Sequence, residues 1–434
     1  MPTIRPFRGL RYDLPRAGRA EALLAPPYDV VDEAGRRAIA ARSPNNCIRV
    51  ILPEGEGAAK YARGAAQFRR LMQEALVRDA EPSVYVYHQT FEVEGRTYTR
   101  KGFVALMELS PFGAGKVLPH ERTLSGPKAD RLELMRACDA HLELVFGLFP
   151  DPDRAWEAAV DGALDGPVLK ADLDGVRHVL YRVHDPAAVE RLAAVIEPKK
   201  VYIADGHHRY TTMVEYAKEL RARGRPGADF GMVYLSNLDD PGLVVLPTHR
   251  LVHGVAGFDE AALLERLGRW FTIGEAPLPD DVPAMRRRLA QAAEGGRVAF
   301  GLAVPGRGTW RVLATRPDFD PAETPLAALP PALQRLDVVL LHELVLEAGL
   351  GISKQAQAEK RNLYYEKSSE RALEDARTPG AHHEGVQLAC FMNATPVEDV
   401  VAVCDSGEVM PQKSTFFHPK IPTGLVFHTL AEES

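Results

Sequence analysis

Two short segments of this chain collect the residue types that phosphate chemistry uses. The first is Asp205-Gly206-His207-His208-Arg209, which follows the apolar run Val201-Tyr202-Ile203-Ala204. That run predicts a strand over 200–204, a tight turn at the glycine, and a helix from about His208 to Leu220. Gly206 lets the backbone turn sharply and come close to a ligand. The first N–H groups of a helix have no carbonyl partner within it, so they point at whatever sits above the turn. His207, His208 and Arg209 add donors that suit phosphate oxygens. Asp205, at the strand end, is placed to hold Mg²⁺ or to orient another side chain. So short a segment also describes a surface turn with a solvated His-His-Arg, and both readings stand at this point.

The second segment is Lys116-Val117-Leu118-Pro119-His120-Glu121-Arg122-Thr123, ahead of a helix whose first turn carries Lys128, Asp130 and Arg131. A carboxylate such as Glu121 can take a proton from a hydroxyl nucleophile within hydrogen-bond reach. His120 and Glu121 can equally cap or pair locally. A third stretch, the polar tail Met410 to Lys420, offers Lys413, Ser414, Thr415, His418 and Lys420 as a cover that donates to phosphate. The competing reading is an edge strand packed on the core through Phe416 and Ile421. Tyr28, Asp29, Asn45 and Asn46 divide in the same way between ligand contact and turn.

Other chemistries fail on pattern. Gly113-Ala114-Gly115-Lys116 has serine at 110, where a P-loop needs its first glycine, and Val117 where it needs Ser or Thr. Neither His120-Glu121 nor His342-Glu343 has the second histidine of a zinc protease. His342 sits in an apolar helix as a structural histidine, and His382-His383 reads as a solvated loop. The four cysteines are widely spaced with no Cys-x-x-Cys pair, which argues against zinc-ribbon and redox sites and fits a reducing compartment.

The 434 residues carry a formal net charge of −6, with both signs interspersed. An extended nucleic-acid surface needs a basic face, so none is expected. The first ten residues lack a signal-type apolar stretch and no run approaches a membrane span, so no membrane partner and a cytoplasmic location are expected.

The elements that must position these residues read as α/β, in a mixed α+β arrangement. An N-terminal segment over 1–95 carries an apolar run at Ile48 to Leu52 suited to a strand, then a helix at Tyr61 to Leu76. Ser83 to Glu94 and Arg96 to Leu109 predict a hairpin turning at Glu94-Gly95. The core over 96–255 holds a helix at 128–140, strands at 142–149 and 176–183, a helix at 187–196, the strand–turn–helix at 200–220, and strands near 230–235 and 242–247. The C-terminal domain, 256–434, begins after a boundary at 254–259. It holds helices at 260–270 and 283–293, a hairpin at 297–315, a proline-rich loop at 317–331, helices at 336–347 and 397–404, and a strand at 387–392.

Asp205-Gly206-His207-His208-Arg209 together with Pro119-His120-Glu121 resembles the motif pair of the free L-serine kinases of the ParB/sulfiredoxin superfamily. The full chain also resembles the bacterial and archaeal family labelled domain of unknown function 1015, including Pro27-Tyr28-Asp29-Val30 and the Met410 to Lys420 tail. The resemblance implies a ParB/sulfiredoxin-like mixed sheet core with N- and C-terminal α+β extensions. It implies that Glu121, with His120 beside it, is the catalytic base. Asp205 would hold the metal or the substrate hydroxyl, and Gly206, His207, His208 and Arg209 would cradle the phosphates. The implied activity is a kinase using ATP or ADP with Mg²⁺ on a small hydroxyl compound, free L-serine first. Thr212 departs from ParB-type motifs, which carry alanine there, and the serine-binding residues have no counterpart that can be mapped. Sulfiredoxin chemistry needs a cysteine by the turn, where this chain has His207; ParB-type partitioning needs a basic helix-turn-helix that is missing. A nucleotide-binding module without turnover, and a phosphatase or nucleotide hydrolase, use the same residues. Transfer chemistry requires that Glu121 and the Gly206 turn share one pocket.

Overall fold

The computed structural model describes residues 2–121, 125–225 and 229–430. Two compact units emerge, one of Met1–Pro119, Thr123–Val244 and Pro419–Ser434, the other of His120–Arg122 and Val245–His418. This division differs from the three expected segments. The expected break at 95/96 falls inside a hairpin whose strands are paired from Tyr85↔Val104 to Val93↔Arg96. Glu94 and Gly95 both take positive φ (53° and 73°), the geometry a two-residue turn needs to match the twist of its strands.

The first unit is built on a mixed sheet. Its strands are β1 (Ile4–Arg5), β2 (Val84–Val93), β3 (Arg96–Glu108), β4 (Val117–Pro119), β5 (Val145–Phe149), β6 (Pro167–Leu173), β7 (Val176–Val183), β8 (Val201–Asp205) and β9 (Phe230–Asn237). Their order is β4-β8-β5-β9-β3-β2-β7-β6, with β1 beside β3. β8 runs parallel to β4 and antiparallel to β5, while β9 runs parallel to β5 and antiparallel to β3. The helices used below are α1 (Gly57–Glu74), α2 (Ser125–Cys138), α3 (Pro186–Ile196) and α4 (His207–Ala222).

Burial explains the central strands. Every residue of β5, and Gly231 to Asn237 of β9, is buried, so these strands read as continuous apolar runs and not as alternating ones. In α4, Tyr210, Met213, Val214, Ala217 and Leu220 recur at helical spacing and join Val201, Ile203 and Leu235 in one core. Each large side chain buried there contributes about 1.5–3 kcal/mol.

Ile48–Ile51 is a correction: it forms a helical turn, not a strand. Buried Asn46 accepts the N–H of Ile48 (2.8 Å) and donates to the carbonyls of Ala22 (2.7 Å) and Leu24 (3.0 Å), which fixes the turn's start. Asn45 likewise donates to Ala17, so both asparagines serve the turn.

The second unit carries an antiparallel sheet of β10 (His249–His253), β11 (Phe271–Pro277), β12 (Ala299–Ala303), β13 (Thr309–Thr315), β14 (Leu363–Glu366) and β15 (Val386–Met392), ordered β11-β13-β12-β15-β10-β14. Helices α5 (Val282–Ala292) and α6 (Ser369–Arg377) pack Met285, Leu289 and Leu373 against Leu251, Trp310 and Phe391 of that sheet. No described helix is long and apolar enough to cross a membrane.

Candidate functional site

β8 does not run straight into its turn. Tyr202 and Ile203 face Leu148 and Gly147, but Asp205 faces Phe146, so Ala204 is an extra residue in the ladder. Such a bulge re-aims the side chain that follows it, here Asp205. Gly206 then takes φ 86° and ψ 31°, the left-handed region, and caps α4. A Cβ at this position would lie 2.9 Å from Nε of Arg209, so glycine is required twice, for its dihedrals and for space.

Arg209 is drawn under the turn and is only 6 % exposed. One of its nitrogens donates to the carbonyl of Leu144 and another to Asp205. The second Asp205 oxygen accepts from Lys420. Burial opposes ionisation of Asp205, but Lys420 and then Arg209 outweigh it and hold the carboxyl far below the usual carboxylate range. For Arg209 burial also opposes the charge, and Asp205 and Glu143 overcome it.

The ion pairs continue inward. Glu143 lies within electrostatic reach of Arg209, accepts from Nη1 of Arg131 (3.4 Å) and accepts the backbone N–H of Tyr28 (3.4 Å). Arg131 is held by Asp130 (2.5 Å), which also pairs with Lys60 (2.7 Å) and accepts from the Tyr61 hydroxyl (3.1 Å). Asp130 is held down at about 2: burial works against this, and Arg131 and Lys60 prevail. The Tyr28 ring lies 4.1 Å from the Arg131 guanidinium, and burial followed by Glu143 pushes its hydroxyl up to about 12. Lys420, Asp205, Arg209, Glu143, Arg131, Asp130 and Lys60 thus alternate in sign, four cations around three anions. A cavity of about 30 Å³ between Arg131, Glu143, Arg209 and Met213 has room for one water.

The residues do not fit the expected Mg²⁺ site at Asp205. Both its carboxylate oxygens are taken by cations. Among the described residues no group of three or more His, Cys, Asp or Glu side chains is arranged to hold a metal.

His207 is buried and lies within electrostatic reach of Asp205, whereas His208 is half-buried. The hydroxyls of Thr211 and Thr212 donate back to the carbonyls of His207 (2.9 Å) and His208 (2.7 Å). The threonine that departs from the ParB-type pattern is therefore a helix-internal donor.

His120 and Glu121 belong to the second unit, together with Lys413, Ser414 and Thr415. His120 accepts the N–H of Met410 at its carbonyl (2.8 Å), and its Nε2 sits 2.8 Å from the Thr415 hydroxyl and 3.9 Å from the Glu121 carboxylate. Ser414 donates its hydroxyl to Pro411 (2.5 Å), and its carbonyl accepts from Thr395 (3.0 Å), so that side chain closes its own turn. Lys413 has φ 59°, and its carbonyl accepts from Arg250 (3.1 Å). Arg122 and Thr123 lie outside the described residues.

Sequence reasoning missed Arg250. It is buried, donates to Thr248 and to Nε2 of His342 (3.2 Å), and lies 5.2 Å from the Tyr365 ring. Burial pulls its pKa down to about 10, with Tyr365, Cys390 and Glu121 opposing, so it stays cationic at neutral pH. His342 is a structural histidine, as expected. Of His382-His383, His382 is exposed in a loop as the solvated reading has it, whereas His383 is half-buried; the backbone N–H groups of both donate to Asp375 (2.8 and 3.0 Å), and His383 Nδ1 contacts it at 2.7 Å. In the tail, Phe417 and Ile421 are buried, and half-buried Phe416 has Lys367 Nζ 4.7 Å from its ring. Lys420 leaves the tail for Asp205.

No curated protein matches the chain. Solved structures with a similar backbone include a free serine kinase in complex with ADP, 17% identical, covering 71% of this chain and 89% of that one with a TM-score of 0.35. Others are a conserved hypothetical protein from Pyrococcus furiosus (18%, 71% and 92%, 0.32) and SbnI from Staphylococcus aureus (11%, 76% and 90%, 0.34). Scores this low carry neither a shared fold nor a shared activity. The family match ends well before the tail, which therefore lies outside the matched span. Residues 4–339 match the family described as "Protein of unknown function (DUF1015)", and the chain belongs to that family.

Proposed function

We propose that this protein is a nucleotide-dependent phosphotransferase acting on the hydroxyl of a small molecule, with free L-serine the leading acceptor and a ParB/sulfiredoxin-like core as its frame. The observation that carries this reading is the strand–bulge–glycine turn at 201–206 opening a sixteen-residue helix, backed by the cations Arg209 and Lys420. A helix N-terminus favours phosphate through its dipole and the direction of its first N–H groups. His207 and His208 add donors, while Arg209 and Asp205 act as positioning residues that lock the turn.

Glu121 is the proposed base. β4, which Glu121 follows in sequence, is the parallel neighbour of β8, with Pro119 opposite Ile203. In the transfer, the acceptor oxygen bonds to the terminal phosphorus of ATP or ADP. The bond from that phosphorus to the leaving nucleotide breaks, and the hydroxyl proton passes to Glu121. Such chemistry rests mainly on positioning and charge neutralisation. No step is assigned to Mg²⁺.

Incubating the protein with ATP or ADP, with and without Mg²⁺, and L-serine should yield phosphoserine. Glu121→Gln should lower turnover by about 10²–10⁴-fold with nucleotide affinity kept. Absence of product over a panel of donors and hydroxy amino acids would remove the kinase reading. A nucleotide-binding module without turnover is the second reading, favoured by an Asp205 with both oxygens engaged. It predicts thermal stabilisation by nucleotide with no product.

A further inference from the structure

Tyr28–Val30 is a single 3₁₀ turn in the first unit, entered from buried Pro27, whose carbonyl accepts the N–H of Val30 (3.2 Å). Its first side chain is locked in place. The Tyr28 backbone N–H donates to Oε1 of Glu143 (3.4 Å), and its ring lies 4.1 Å from the Arg131 guanidinium. That guanidinium is itself fixed, by the Ile51 carbonyl (2.8 Å), Asp130 (2.5 Å) and Glu143 (3.4 Å). A ring held by cation–π attraction on an immobile buried cation presets the position of its hydroxyl.

The polar ends of this turn are unused. The Tyr28 hydroxyl and the Asp29 carboxylate have no hydrogen-bond or ion-pair partner among the described residues. Tyr28 is half-buried and Asp29 is exposed. Burial, then Glu143, pushes the hydroxyl up to about 12, so at neutral pH it is a donor. Both groups lie within electrostatic reach of Arg209, the side chain packed against Gly206. Glu143 and Arg131, which hold Tyr28, line one small cavity with Arg209, and this joins the two turns.

The geometry points to an amino-acid clamp beside the glycine turn, in which the Tyr28 hydroxyl donates to the substrate's α-carboxylate and the Asp29 carboxylate accepts from its α-ammonium. The choice of L-serine as its occupant rests on the phosphotransferase reading. A donor and an anionic acceptor on consecutive residues match the two charged groups that an amino acid carries on one carbon. Arg131, beneath the Tyr28 ring, favours the carboxylate on that side, and Asp29 favours the ammonium on the other. Hydrogen bonds with one ionised partner are the stronger kind, so each contact contributes to selection. A hydroxy acid lacks the ammonium and an amino alcohol lacks the carboxylate. Each loses one of the two contacts.

The test is calorimetric titration of the full-length protein with L-serine, glycerate and ethanolamine, with phosphoserine formation assayed in parallel. Wild type should bind serine more tightly than either analogue. Asp29→Asn should weaken serine by about tenfold or more and leave glycerate no weaker, because glycerate has no ammonium to lose. Tyr28→Phe keeps the ring on Arg131; it should weaken serine and glycerate several-fold and spare ethanolamine. Neither variant should lower the melting temperature, because neither group has a protein partner to lose. Three results would overturn the clamp: no serine binding at millimolar concentration, equal serine affinity in wild type and both variants, or parallel loss of all three ligands, the mark of a structural defect. The phosphotransferase reading fails separately. Serine bound in the expected pattern with no phosphoserine formed keeps the clamp and removes the kinase, whereas phosphoserine formed equally by wild type and both variants does the reverse.

Discussion

Lys420 donates its ammonium to Asp205, 215 positions earlier in the chain, on the carboxylate oxygen that Arg209 leaves open. The two side chains are only 16 % and 13 % exposed. The tail thus closes the electrostatic account of the glycine turn: without Lys420, a carboxylate in a poorly solvated place would face one cation instead of two.

Removing that partner should be felt in stability. Breaking a buried pair costs about 3–5 kcal/mol when an uncompensated charge remains, and Arg209 still compensates part of it here. Lys420→Ala is therefore expected to lower unfolding free energy by roughly 1–3 kcal/mol. Urea denaturation of Lys420→Ala, Asp205→Asn and the double variant gives the coupling. Additive single effects would show that the contact contributes nothing.

The same pair sets a pH dependence. The Asp205 pKa is depressed in the folded state, so its contribution is present above the unfolded value near about 4 and is lost as pH falls toward the folded one. The stability difference between wild type and Asp205→Asn should be largest near neutrality and shrink below about pH 4. Denaturation midpoints measured from pH 3 to 7 check this. A difference constant across that range would mean that ionisation is not involved.

Gly206→Ala tests the turn itself. Alanine at φ 86° is strained, and its Cβ would press on Arg209 at 2.9 Å. A loss of about 1–3 kcal/mol is expected, with nucleotide affinity falling at least roughly tenfold because the helix start and Arg209 move together. Wild-type thermal stabilisation by ADP in this variant would contradict the turn's role.

How much of this was legible follows from how local each feature is. The 201–209 strand, turn and helix were readable because an apolar run, a glycine and a helical period are adjacent in sequence. The 83–109 hairpin was readable for the same reason. Ile48–Ile51 misled because its apolar composition suits a strand, while its conformation is set by Asn46 bonding to Ala22 and Leu24. The charge row from Lys420 to Lys60 was legible only in its local pairs, Asp205 with Arg209 and Asp130 with Arg131, because the contacts that join those pairs arise through tertiary packing. The phosphate donors were half legible. Residue types marked Arg209 and Ser414 as ligands, but only geometry shows Arg209 turned inward and Ser414 bonded to Pro411.

The second unit carries a titration of opposite sign. Asp337 opens a short helical turn and is half-buried; burial first, then the negative charge of Asp399, push its pKa up to about 7. An acid whose folded pKa is raised gives its full stability below the unfolded value near about 4 and loses it as pH rises through the folded one. Above about pH 7 the native state therefore carries a charge it disfavours. Asp337→Asn keeps the shape of the neutral acid and cannot ionise. It should match wild type near pH 4 and exceed it at pH 8 by roughly 1–2 kcal/mol, less than a fully buried group would give because some solvent still reaches the site. Equal gains at both pH values would assign the effect to packing and not to charge. Asp399→Asn provides the control: removing the neighbouring charge should lower the Asp337 pKa, shifting the pH at which wild-type stability falls downward without abolishing the fall.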